Sequence, residues 1–152
     1  DAEAHKDRWA LSKLSGASLE PLFQGLGLTL AGAFLLHFTM ILFGAPITSK
    51  VVVTFLASLY ISILAFFPLA FSLTAPYKSL AARQTYIRLF CALTPQSSTE
   101  KALLYPCIGT LAGAWFGAFP LPLDWDAPWQ RWPTTVCWMA LLGSILGNAL
   151  SA

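Results

Sequence analysis

Apolar residues in this chain fall into long windows that no charged side chain interrupts: positions 21–49, 51–77, 102–123 and 132–152 hold no Asp, Glu, Lys or Arg. Each window is long enough to cross a ~30 Å hydrocarbon core, which takes about 20 apolar residues in helix. The pattern predicts an all-α fold, a polytopic transmembrane helix bundle with four membrane helices at 25–43, 51–73, 103–121 and 133–152. Gly44, Ala45 and Pro46 end the first helix sharply, and Pro68 kinks the second. What remains is a polar segment at 1–24, a loop at 74–102 and a shorter loop at 122–132, so 25–152 reads as one helical membrane domain.

Composition agrees with a membrane setting: 57% of residues are hydrophobic and 11% charged, where a soluble domain carries about a quarter charged. The net charge of +2 and the lack of a basic stripe interleaved with aromatics argue against nucleic acid as a partner. The opening residues are polar and mixed in charge, unlike a signal peptide. The chain starts on Asp1 rather than Met and its last apolar window runs to the final residue, from which a piece of a longer protein with further helices is expected. Cys91, Cys107 and Cys137 form no CxxC pair, and the last two read as small apolar packers.

Charge also orients the helices. The 74–102 loop carries Lys78, Arg83, Arg88 and Lys101 against Glu100 alone, and a loop so basic belongs in the cytosol. The N-terminal segment, two crossings away, shares that side and brings Lys6, Arg8 and Lys13. "GAPITSK" and "PLPLDWDAPWQRWP" then face the opposite side, the lumen if the membrane is the endoplasmic reticulum. Within the basic loop, Ala82, Tyr86, Leu89, Phe90 and Leu93 share a helical stripe. That stripe suits an interfacial helix or an ordinary connector packed on its neighbours.

The stretch from Gly109 to Pro133 changes character halfway. Gly109, Gly113 and Gly117 lie four residues apart, spacing that lets another helix approach closely where lipid removes the hydrophobic drive to associate. Gly143 and Gly147 repeat the spacing in the fourth helix. The neighbour is either a helix of this chain or a partner's. Beyond the glycines, Trp115, Trp125, Trp129, Trp132 and Trp138 cluster at a membrane boundary, while Pro120, Pro122, Pro128 and Pro133 stiffen the backbone. A rigid aromatic loop suits docking; an anchoring belt explains the tryptophans but not the stiffness.

Candidate chemistry is sparse. Asp124 and Asp126 could bind a divalent ion or act as acid and base, but no companion ligand lies nearby and the sequence offers no metal set or cofactor motif. Solvation or a salt bridge with Arg131 explains them more simply. His37 sits mid-helix, where a polar residue is a functional hypothesis by default. A hydrogen bond across a helix interface, to Thr39, Ser58 or Asn148, is the expectation for it.

Three segments resemble a known family. "GAWFGAFPLPLDWDAPWQRWP", "HFTMILFGAPI" and, more weakly, "YIRLFCAL" are similar to stretches of PIG-F, the phosphatidylinositol-glycan biosynthesis class F proteins. The resemblance implies a multi-pass endoplasmic reticulum protein without catalytic activity, metal or cofactor of its own. It also implies a heterodimer with a catalytic ethanolamine phosphate transferase of glycosylphosphatidylinositol (GPI) anchor synthesis, which the subunit stabilises, and possible contact with membrane lipid or the GPI precursor. The family's usual additional N-terminal helices are expected outside this chain. The residues expected to contact partner or lipid are His37, Gly44, Pro46, Gly109, Gly113, Trp115, Gly117, Pro120, Pro122, Asp124, Trp125, Pro128, Trp129 and Trp132. The rival readings are a lipid-handling enzyme centred on Asp124 and His37, and a small carrier or scramblase with His37 and Asn148 lining a polar path.

Overall fold

A computed structural model describes residues 2–73, 76–123, 125 and 127–151, with only the backbone helix described over 2–18. Helix α1 runs from Ala2 to Leu42 without a break. The segment expected to precede the first helix is therefore helical itself. It holds no proline before Pro21 and is rich in Ala, Leu, Lys and Glu, all strong helix formers. At 1.5 Å per residue α1 is roughly 60 Å long, about twice a hydrocarbon core, and its apolar part is the window Leu19–Leu42. Gly44 ends it in the left-handed region at φ 98°. The Gly44 and Ala45 amides donate back to the carbonyls of Ile41 and Met40, at 3.0 and 2.9 Å.

The expected second helix is two pieces, α2 (Val51–Ala65) and α3 (Phe67–Ser72). Pro68 has no amide to donate and its ring displaces the carbonyl four residues back, so the break falls at Phe66. Helix α4 (Leu80–Ile87) leads into a π-helical turn at Arg88–Ala92. Helix α5 spans Ser98–Phe116, starting five residues before its expected boundary because the Ser97 hydroxyl caps it, accepting from the Glu100 amide at 3.1 Å. Residues 98–102, expected to be loop, are thus helix. Pro106 is buried in the helix interior, where its carbonyl accepts the Thr110 hydroxyl at 2.6 Å. Helix α6 spans Thr134–Ser151, within a residue of expectation at each end.

These boundaries alter the count of membrane-length helices. Among the described residues two are long and apolar enough to cross a membrane by themselves, Leu19–Leu42 and Thr134–Ser151, rather than four. The break at Phe66 limits α2 to 15 residues, and the early start of α5 brings Glu100 and Lys101 into its first turn.

Helix α1 packs on α2 and α3, α5 packs on α6, and α2 bridges the two groups. Small residues mediate the contacts. Gly32 lies against Ser62 and Phe66, leaving no room for a Cβ, and the Ser62 hydroxyl donates across to the Thr29 carbonyl at 2.6 Å. The Gln24 amide donates to the carbonyls of Ala70 and Leu73, at 3.0 and 2.9 Å, closing the end of α3. Ala33, Thr54, Ser58, Thr110 and Ala140 are fully buried, whereas Phe23, Leu35, Phe38, Leu42, Val52, Leu146 and Leu150 are 63–86% exposed. Small inside and large apolar outside is the arrangement expected where helices associate in lipid.

The connector packs on the bundle, the second of its two expected roles. Ala82 and Leu89 are buried, half-buried Tyr86 joins the cluster of Ala65, Leu69 and Cys107, and Phe90 and Leu93 stay exposed. Arg88 fastens it to α5, donating to both Glu100 oxygens at 2.9 and 2.6 Å and to the Thr94 carbonyl at 2.8 Å. The Arg88 hydrogen bond, helped by the Gln96 amide, holds the Glu100 carboxyl down to about 2. A depressed carboxylate stabilises the fold above its unfolded value near 4.5 and ceases to do so as pH falls through 2. Glu100→Gln should therefore lower the thermal midpoint in micelles by a constant amount from pH 7 to about 5. Below that the difference should shrink, and melting curves on both proteins would show it.

Candidate functional site at the tryptophan and proline loop

The glycine stripe of α5 is filled by α6. A Cβ at Gly109 would overlap the Gly143 carbonyl, and one at Gly113 would overlap the Met139 carbonyl. At Gly117 it would stand 2.6 Å from the Thr135 carbonyl oxygen, and at Gly147 2.6 Å from the Pro106 Cα. Of the two neighbours open to this stripe, the structure realises the one within the chain. The contact sets where α5 ends and α6 begins, and so the width that the loop between them spans.

That loop is held by its own side chains. Amides of Ala118, Phe119, Leu121 and Leu123 each reach the carbonyl three residues back, at 3.1–3.3 Å, in a succession of tight turns. Pro120 and Pro122 carry no amide to leave unpaired. Gln130, in the short 3₁₀ turn Pro128–Gln130, cross-links the loop. Its Nε2 donates to the carbonyls of Pro120 and Leu123, both at 2.7 Å, and its Oε1 accepts from the Ala127 amide at 3.1 Å. Trp132 ties the loop to α2 through Nε1–H donating to the buried Thr54 Oγ1 at 3.0 Å. Removing either end, as in Trp132→Phe or Thr54→Val, should destabilise the protein. A double-mutant cycle on thermal unfolding should give a coupling of about 1 kcal/mol.

Beneath the loop lies a cavity of about 730 Å³. Leu36 and Met40 of α1, with Phe43 just beyond its end, form one side, and Leu111, Ala114 and Trp115 of α5, with Ala118 just beyond its end, the other. Ile61 of α2 and Val136 of α6 also line it. The turn Gly44–Pro46 and the loop residues Pro122, Gln130 and Trp132 bound one end. Two segments distant in sequence, 36–46 and 111–136, thus meet in one place.

Of the expected contact residues, Gly44, Pro46, Trp115, Pro122 and Trp132 line this cavity. Trp125 and Trp129 lie on the outer face of the loop, exposed, with ring centroids 5.7 Å apart. Pro128 is exposed beside them, and Pro120 is half-buried with its carbonyl held by Gln130. Gly109, Gly113 and Gly117 face α6. Asp124, and with Asp126 the expected salt bridge to Arg131, lies outside the described residues.

His37 departs from expectation. Its Nδ1 is buried with no hydrogen-bond partner, and the ring lies edge-on to Phe55 at 5.7 Å. The three expected partners are engaged within their own helices: Thr39 donates to Leu35, Ser58 to Phe55 and Asn148 to Ser144, at 2.7–2.9 Å. A carbonyl one turn back is always within reach, so a cross-helix acceptor must outcompete it. Gln130 and Thr54 are the residues that sequence reasoning missed. The only signal for Gln130 was its place inside the long loop motif, and Thr54 gave none.

These features define a class: an all-helical bundle, apolar outside and packed through small residues, with helices able to cross a membrane. The sequence model of the GPI biosynthesis protein family Pig-F matches residues 4–152, and the chain belongs to that family. It is 35% identical over 122 residues to the mouse "GPI ethanolamine phosphate transferase, stabilizing subunit", a match covering 80% of this chain and 53% of the mouse protein. It is 33% identical over 127 residues to "Glycosylphosphatidylinositol anchor biosynthesis protein 11" of Debaryomyces hansenii, covering 84% and 52%. It is also 35% identical over 131 residues to the "PIGF/3-ketodihydrosphingosine reductase fusion protein" of Schizosaccharomyces pombe, covering 86% and 24%. The chain thus spans about half the length of the first two and a quarter of the fusion protein. No solved structure matches.

Proposed function

We propose that this chain is a noncatalytic membrane subunit that binds and stabilises an ethanolamine phosphate transferase acting on GPI anchor precursors in the endoplasmic reticulum. In this reading it crosses the membrane four times: α1 first, α2 with α3 second, α5 third and α6 fourth. The cationic connector lies in the cytosol, and the Gly44–Pro46 turn and the tryptophan and proline loop lie in the lumen.

Family membership and the stabilising role named for the mouse relative support the function. The observation that carries the docking role is the cross-linked loop. Gln130 and Trp132 hold it rigid, and it presents Trp125 and Trp129 to the exterior as a preformed aromatic surface. Rigid aromatic anchors are what interfaces use for most of their binding energy, because little conformational freedom is lost on association. The excess of Lys78, Arg83, Arg88 and Lys101 over Glu100 in the connector supports the orientation.

The test is purification of the tagged chain from mild detergent, followed by mass spectrometry and an ethanolamine phosphate transfer assay. A transferase that co-purifies, with activity that disappears when it is stripped away, supports the subunit reading. A chain that elutes alone and still transfers or transports lipid refutes it and returns Asp124 and His37 to consideration as site residues.

A further inference from the structure

We propose that the cavity between α1 and α5 is a binding site for one acyl chain of a membrane glycerophospholipid, entered sideways from the bilayer, a reading that rests on the membrane assignment above and not on the transferase partner. Helix α1 packs on α2 and α3, and α5 packs on α6 and α2, so the α1 and α5 walls face each other across open space. At about 730 Å³ the space falls within the roughly 300–1,000 Å³ typical of small-ligand sites.

The chemistry of the wall selects an apolar occupant. Three of the four side-chain donors on it are engaged: Thr39 with the Leu35 carbonyl, Gln130 with Pro120 and Leu123, and Trp132 with Thr54; the fourth, the Trp115 indole N–H, belongs to a side chain that is half exposed. A sugar, phosphate or polar peptide entering here would give up water and regain no hydrogen bond from those donors. A methylene chain gives up nothing. Water itself requires two to four polar partners to occupy such a space.

Position selects the source. Phe43 and Trp115 line the cavity and stay 77% and 53% exposed, so the site opens to the surroundings that the membrane assignment makes lipid. The turn at Pro46 and the loop at Pro122 and Trp132 bound one end. A partner helix, about 10–12 Å across with its side chains, would meet that end, whereas a single hydrocarbon chain can terminate against it.

The experiment places the full-length protein in nanodiscs of phosphatidylcholine doped with a phosphatidylcholine that carries a diazirine in one acyl chain, irradiates, and maps the adducts. Adducts are expected at Met40 and Leu111, which are only partly exposed, and should be lost in Ala114→Phe, which fills the space. Ala118→Leu is the milder second variant should the first not remain monodisperse. Adducts at Leu146 and Leu150 on the outside of α6 should persist in both. Outer adducts without cavity adducts would overturn the proposal, as would cavity adducts that neither variant reduces, or that vanish when the chain is purified with a protein partner. Absence of the outer adducts as well would overturn the membrane assignment itself.

Discussion

Gly113→Val should remove α6 from its seat on α5 and leave little folded protein. The added side chain meets the Met139 carbonyl and the Gly143 Cα, backbone atoms that cannot rotate aside. Overpacking costs about 1–3 kcal/mol where neighbours can shift, and a helix backbone shifts only as a whole, so the effect belongs at or above the top of that range. Set against a total stability of about 5–15 kcal/mol, this is a large fraction. Gly143→Val, which meets the Gly109 carbonyl from the other side, should behave the same way. Gly27→Val is the control, because a Cβ there meets nothing within 4 Å. Size-exclusion profiles after a heating series would separate the cases: the control elutes like the unmodified protein, and the two α5–α6 variants aggregate at lower temperature. Equal stability of all three would mean that α5 and α6 do not pack through their glycines.

Gln130→Leu should leave the bundle folded but release the loop. The substitution leaves the Ala127 amide without its acceptor and takes from the carbonyls of Pro120 and Leu123 their shared side-chain donor, leaving each only a local backbone amide, that of Leu123 or Trp125; Gln130 alone draws the three groups together across the loop. They are only partly buried, so water recovers some of the loss, and about 2 kcal/mol of loop order is at stake. If partner binding uses the ordered loop, this corresponds to roughly thirtyfold weaker capture. Gln130→Glu should be no better, since a carboxylate can still accept from Ala127 but faces two carbonyl oxygens where the amide donated. Thermal midpoints close to the unmodified protein, together with reduced co-purification of the transferase, would be the expected pair of results. Unchanged capture would show that the loop need not be ordered to bind.

What could be read from the sequence was local and periodic. The glycine spacing at 109, 113 and 117, the partner spacing at 143 and 147, and the limits of α6 were legible because helix contact repeats every four residues. The kink at Pro68 was legible because proline acts on its own helix. Helix starts were less so: Ser97 begins α5 inside a polar stretch that looks like loop until its hydroxyl is seen to cap the Glu100 amide. The helical state of 2–24 was hidden because polarity was read as absence of structure. The cavity could not be read at all. Leu36, Ile61, Ala114, Trp132 and Val136 come from separate segments, and only the folded chain brings them together. His37 was misread because the hydroxyls within reach of a helix interface turn back on their own helices.

The most direct test of the central claim, that the exposed loop docks the partner enzyme, is site-specific photo-crosslinking in intact membranes. A photoreactive amino acid at position 129 samples the loop, and one at position 83 samples the connector at the opposite end. The account predicts a transferase adduct from position 129 and none from position 83. An adduct from position 83 with none from 129 would place the partner at the cationic end and contradict it.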